Sequence, residues 1–302
     1  MEILGSAHGA SHGASHGASH GASHGASHGA SHGASMAGPA GGLTFPVVEP
    51  LLGNETLQAV HSEPFQDIEI HPDLWALDKI PALVADLPDT LFDAIKADLQ
   101  AILDAQRAQI ANGEKTETEV VKADLERALY GRGETLRLFG GEIVSQSGSF
   151  QGYFHAMLSL NSRQYPATMR LMALVYGVAG VVGMRLKLHF MRARPAQVWP
   201  GLFPVLPTPP HPSYPSNHAT QALTLSRVLG DVLGGTARAG AAAHIDAMAW
   251  RIARNREYAG LHFASDTEAG AKVADALSTH LATQQIIKDL TGRAVLELGI
   301  AE

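Results

Sequence analysis

Cysteine is absent from all 302 residues. That absence excludes a disulfide scaffold, thiolate catalysis, iron–sulfur clusters and cysteine-type zinc sites. Aromatic residues make up 6% and charged residues 17% of the chain. Long apolar runs are also missing. The longest candidate, Leu171 to Met184, has 14 residues and three glycines and runs into Arg185 and Lys187. A membrane helix needs about 18 or more apolar residues in a row. The expectation is therefore no membrane span, and a soluble chain of the cytoplasm or periplasm.

Acidic residues are missing from one long stretch. Between Glu142 and Asp231 lie 88 residues without an Asp or Glu, although the net charge is −7. The same stretch holds Arg163, Arg170, Arg185, Lys187, Arg192, Arg194 and Arg227, so it carries +7 and the remainder −14. A solvated surface mixes signs, whereas a concave site for a small anion excludes carboxylates that would repel its ligand. Overall acidity and few aromatics argue against a nucleic-acid face. The expected partner is a small anionic substrate such as a phosphomonoester.

What is present falls into three parts. Residues 8–35 are seven His-Gly-Ala-Ser tetrads holding seven of the 16 histidines. Such a repeat cannot build a core and reads as an engineered affinity tag over 1–35, with Met36 starting the natural chain. Residues 36–88, rich in proline and turn formers, are expected to form an irregular arm with one or two short helices. Residues 89–302 read as a mostly α catalytic domain, because strand-like alternation is missing and helical periodicity recurs.

Helices are expected from Asp89 to about Asn112, then near Thr118–Tyr130, Pro166–Ala193, Ser216–Leu233, Arg238–Ala259 and Ser265–Lys288. Arg132–Ser149 is glycine-rich and reads as a loop, or a loop plus a short helix. Pro195–Pro215 is a 21-residue segment with eight prolines, and loops of that length in compact domains tend to be functional. The apolar helix at Leu171–Met184 suits either a core or a contact between copies of the chain.

Three clusters carry chemistry. Lys187 and Arg194, seven apart, would share a helix face two turns apart, with Pro195 ending the helix at Arg194. A guanidinium fork and an ammonium suit a tetrahedral oxyanion, though two surface cations would have the same spacing. In Pro215-Ser216-Asn217-His218, Ser216 is an N-cap whose helix turns its first N–H groups outward as an anion cradle. His218 lies in that turn, placed for proton transfer. Arg256, His262 and Asp266 form the third cluster. Gly260 lets the chain bend between the first two, and an Asp266 carboxylate on one imidazole nitrogen of His262 leaves the other free as nucleophile or ligand. A metal-binding pair is the alternative, but no third ligand stands at a recognisable metal spacing.

In order, Lys-x6-Arg-Pro, Pro-Ser-x-His and Arg-x5-His-x3-Asp resemble the signature of the type-2 phosphatidic acid phosphatase and vanadium-dependent haloperoxidase superfamily. The likeness spans Lys187 to Asp266. It implies that family's α-helical bundle. It also implies that Lys187, Arg194, Arg256, Ser216 and the N–H of Asn217 hold phosphate or vanadate. His262 would be the nucleophile or vanadate ligand, His218 the general acid and base, and Asp266 the group orienting His262. Asn217 replaces the family's usual glycine, so its side chain would narrow the site. Asn255 replaces the serine before the arginine in the phosphatase pattern.

The resemblance leaves two activities open. A phosphatase working through a phosphohistidine needs no cofactor, and the three cations would stabilise the charge, so no metal is required. A haloperoxidase would instead carry vanadate on His262 and oxidise bromide or iodide with hydrogen peroxide. His211, five residues before Ser216, resembles the bromoperoxidase pattern and would line a substrate or halide pocket. His262-Phe263-Ala264-Ser265-Asp266 with Glu268-Ala269-Gly270 resembles bacterial phosphatases of the superfamily, and phosphatase is the preferred reading. A non-catalytic oxyanion binder would not need His218 and Asp266 together. His155, His189, His244 and His280 read as packed or surface groups.

Overall fold

The structure, a computed structural model, describes residues 70–299. The repeat over 1–35 and most of the arm expected over 36–88 lie outside the described residues. Those described form helices and no strands. Eleven of the helices are α: α1 Pro72–Ala85, α2 Asp89–Ala111, α3 Glu117–Asp124, α4 Arg132–Ser145, α5 Gln151–Leu158, α6 Pro166–Phe190, α7 Pro195–Val198, α8 Asn217–Gly234, α9 Ala242–Tyr258, α10 Ala264–Leu281 and α11 Gln285–Leu298.

α8 is the central helix and packs against α6, α9, α10 and α11, while α1 lies on α6 and α2 on α10. Its apolar positions Ala222, Leu225 and Leu229 are fully or almost fully buried, as are Leu171, Leu174, Val175, Val178 and Val182 of α6. Burying such side chains contributes about 1.5–3 kcal/mol each, which makes these two helices the backbone of the core. The apolar stretch of α6 therefore serves the core. On α2, Phe92, Ile95 and Leu99 are buried as the periodicity predicts, and Ile110 is exposed at the helix end.

Several boundaries differ from expectation. The helix expected over Thr118–Tyr130 is α3 followed by a π-helical turn, Arg127–Gly131. The glycine-rich stretch after it is a 14-residue helix, α4. Its fully buried Ile143 packs with Ala259 and Leu261, so tertiary burial overrides the low propensity of its glycines. The final helix is two, α10 and α11, broken at Ala282–Gln284.

The expectation of no membrane span requires correction. Within Pro166–Val198 an 18-residue window reaches a mean hydropathy of 1.6, long and apolar enough to cross a bilayer. The sequence reading stopped the run at Arg185 and Lys187, but a spanning helix tolerates a charge or two near its end. In this fold 61% of that window is buried within the protein. A soluble location accordingly does not follow from the sequence.

Candidate active site

The end of α6 sets the first two cations. Met191 caps the helix in the left-handed conformation (φ 50°), its N–H donating to the Lys187 carbonyl. Lys187 therefore sits in the last turn, and Arg194 lies beyond the helix as the N-cap of α7, where its N–H donates to Gln197 Oε1. The two do not share a helix face as predicted; they converge because the chain folds back. Lys187 Nζ donates to the carbonyls of Pro212 (2.9 Å) and Ser213 (2.7 Å), and Arg194 Nη2 reaches the same Pro212 carbonyl at 3.2 Å.

Two strongly buried cations thus gather the end of the proline-rich loop. Tyr214 ties that loop to α2 through a hydrogen bond from its hydroxyl to the Leu99 carbonyl (2.6 Å). His211 stands beside Arg194, with Nδ1 3.0 Å from Nη2. The same imidazole nitrogen lies 3.2 Å from the Pro212 carbonyl.

Ser216 caps α8 as predicted, accepting from the N–H of Ala219 at 3.4 Å. The first N–H groups of a helix lack intrahelical partners, so those of Asn217 and His218 face outward at its positive end. The Asn217 side chain does not narrow the site. It turns toward α6, where Nδ2 donates to the Gly180 carbonyl at 3.3 Å. A Cβ at Gly183 would lie 1.9 Å from its Oδ1, so only glycine admits this arrangement.

α4 positions the next pair. The nitrogen Nε2 of His218 lies 3.0 Å from the Gln146 carbonyl, and Arg256 Nη2 donates to the Ile143 carbonyl. A carbonyl cannot donate, so His218 carries its proton on Nε2 and its lone pair on Nδ1. Arg256 is almost fully buried, and its Nε and Nη1 have no protein partner. Unpaired guanidinium donors in a protein interior suit a bound oxyanion. Asn255 is buried and donates to Gln146 Oε1 (2.8 Å) and Glu142 Oε1 (3.0 Å), bracing the same turn of α4.

His262 follows the bend at Gly260 (φ +75°), where the N–H groups of Gly260 and Leu261 close the end of α9 on Glu257 and Arg256. It precedes α10 and does not lie on it. Asp266, in the first turn of α10, reaches back with Oδ2 to His262 Nδ1 (2.8 Å) and to the Phe263 N–H (3.1 Å). The contact is a helix-capping arrangement, not a shared helical face. It places the proton on Nδ1 and leaves Nε2 as lone-pair nitrogen, 3.1 Å from Arg194 Nη1.

Electrostatics bind these parts into one site. Burial and then Lys187 and Arg194 push His262 well below the ordinary histidine value, with His218 and Arg256 adding to the effect. Burial and then Arg256 lower His218 to about 3, with Lys187 and Arg194 acting in the same direction. Burial, with help from Arg194, brings Lys187 down to about 7. Burial pushes the Asp266 carboxyl up, and Arg192 is the largest opposing influence.

Arg192 is the residue that sequence reasoning passed over. Its Nη1 donates to Asp266 Oδ1 (2.9 Å) and Ser265 Oγ (2.7 Å), and its Nη2 to Asp124 Oδ2 (2.9 Å). Its position two residues before Arg194, within the acid-free stretch, was the available signal. For Asp124, 68 residues away, the sequence held none.

Residues 168–290 match the family model described as the PAP2 superfamily. A solved structure titled the first transmembrane PAP2 type phosphatidylglycerolphosphate phosphatase from Bacillus subtilis is similar at 17% identity and a TM-score of 0.40. The match covers 70% of this chain and 94% of that one. The soluble placement expected from the sequence is withdrawn on the apolar span around α6. No curated protein matches the chain.

Proposed function

We propose that this chain, whose residues 168–290 match the PAP2 superfamily model, hydrolyses phosphomonoesters through a phosphohistidine on His262. The match supports a phosphatase-type function. The observation that carries the finer reading is the state of His262: proton on Nδ1 toward Asp266, lone pair on Nε2, and Arg194 beside that nitrogen.

The proposed step uses this geometry. The phosphoryl group lies among Lys187, Arg194, Arg256 and the first N–H groups of α8, which stabilise the charge on its equatorial oxygens. His262 Nε2 attacks phosphorus, the P–N bond forms, and the P–O bond to the alcohol breaks. His218, protonated on Nδ1, gives that proton to the leaving oxygen. Water then attacks the phosphohistidine as His218 takes a proton back, releasing phosphate and restoring both imidazoles. The bound dianion offsets the three cations that depress His218, so protonation becomes accessible in the complex.

A second reading keeps the same cradle. Vanadate, when held by these residues on His262, supplies peroxide activation for halide oxidation, and the placement of His211 against Arg194 is the observation that favours it. Hydrolysis of p-nitrophenyl phosphate in the presence of chelator, with and without orthovanadate, tests the proposal. Turnover that orthovanadate suppresses supports the phosphatase. A folded protein without turnover, active with bromide and peroxide after vanadate loading, contradicts it.

A further inference from the structure

Arg192 links two carboxylates that belong to different helices. One side of its guanidinium holds Asp266 and Ser265 of α10, and the other holds Asp124 at the end of α3. Asp124 in turn accepts from the Ser265 N–H (2.7 Å), the Ser265 hydroxyl (2.5 Å) and Gln106 Nε2 (2.9 Å). Both carboxylates are buried. The guanidinium lies 4.0 Å from the Phe263 ring centroid and 5.6 Å from that of Tyr214, so its plane is packed as well as paired.

The arrangement matters for the nucleophile because Asp266 divides its two oxygens. Oδ2 faces His262 Nδ1 and the Phe263 N–H, while Oδ1 faces Arg192. A buried carboxylate without a cation on its second oxygen would rotate or take up a proton, and either change releases the imidazole. Arg192 needs a balancing charge of its own in this interior, and Asp124 supplies it.

We propose that Arg192, clamped by Asp124, is a positioning residue that holds Asp266 and thereby keeps the His262 proton on Nδ1. It touches neither substrate nor reacting atoms, and its effect on turnover passes through Asp266. The proposal rests on the reading of His262 as nucleophile. The guanidinium bridges the two carboxylates with one charge-assisted bond to each, Nη1 to Asp266 and Nη2 to Asp124, so Lys can replace only part of it.

Proton NMR of the full chain tests the placement directly, together with p-nitrophenyl phosphate kinetics. A slowly exchanging, low-field imidazole N–H, assigned by its loss in His262→Ala, is expected in the unsubstituted protein. Arg192→Met should remove that signal and lower kcat about ten- to hundred-fold, with KM changed by less than about three-fold. Arg192→Lys should recover part of both. An unchanged signal and kcat in folded Arg192→Met overturns the proposal. If that variant does not fold, Asp124→Asn takes its place, and the same unchanged signal overturns it. Should the unsubstituted protein show no phosphatase turnover, the functional reading fails while the resonance still decides whether Arg192 positions His262.

Discussion

Arg194 Nη1 lies 3.1 Å from His262 Nε2, while His262 Nδ1 lies 2.8 Å from Asp266 Oδ2. The imidazole is thus held between a carboxylate that accepts its N–H hydrogen bond and a cation that faces its lone pair. In the proposed reaction an incoming phosphoryl group would meet His262 Nε2 and a guanidinium at the same place, aligning attack with charge stabilisation.

Replacing His262 with alanine should abolish p-nitrophenyl phosphate hydrolysis. His262 lies in the turn between α9 and α10 and closes no helix itself, so far-ultraviolet circular dichroism should stay near that of the unsubstituted protein. Residual turnover above a few per cent would show that the nucleophile is elsewhere.

Anion affinity should depend on pH through Lys187. Burial and Arg194 lower its ammonium to about 7, so it is cationic below that value and neutral above it. Binding an oxyanion favours the charged form, and affinity must therefore fall as pH rises through about 7. Competitive inhibition by orthovanadate or phosphate from pH 5.5 to 8.5, corrected for the ligand's own ionisation, should weaken on the alkaline side by up to about ten-fold per unit. Lys187→Met should bind more weakly throughout and lose this limb. A flat profile in the unsubstituted protein would contradict the assignment.

Gly270 is where α10 crosses the start of α8. A Cβ there would stand 2.6 Å from the Ala219 side chain, 2.8 Å from the Ser216 carbonyl and 3.1 Å from the Thr220 nitrogen. Two of these are backbone atoms of the anion-facing turn, so the helices must part. Gly270→Ala should cost roughly 1–3 kcal/mol of stability, read as a lower denaturation midpoint, and should raise KM by displacing the first turn of α8. Stability equal to the unsubstituted protein would show that the crossing relaxes freely.

Much of the site was legible because its parts lie in short motifs. Ser216 as N-cap, His218 in the first turn and the bend at Gly260 are local, and the sequence specified each. Convergence of Lys187 with Arg194 was foreseen, but by the wrong route. A left-handed cap at Met191 ends α6 early, and an interior Met carries no signal for that. The Asn217 side chain turns away from the site because Gly183 leaves room on α6, a contact 34 residues distant in sequence. Arg192, Asp124 and the α4 carbonyls that hold His218 and Arg256 are tertiary contacts, invisible to periodicity. α4 itself was obscured by its glycines, and its helix is stabilised by burying Ile143 against Ala259 and Leu261.

The most direct test of the account is to trap the intermediate. Rapid mixing with p-nitrophenyl phosphate, an alkaline quench that preserves phosphohistidine, and mass spectrometry of the resulting peptides would locate the phosphoryl group. The account predicts phosphate on His262, absent in His262→Ala and accumulating when His218→Ala slows release. Turnover with no phosphohistidine, or with phosphate on another residue, would contradict it.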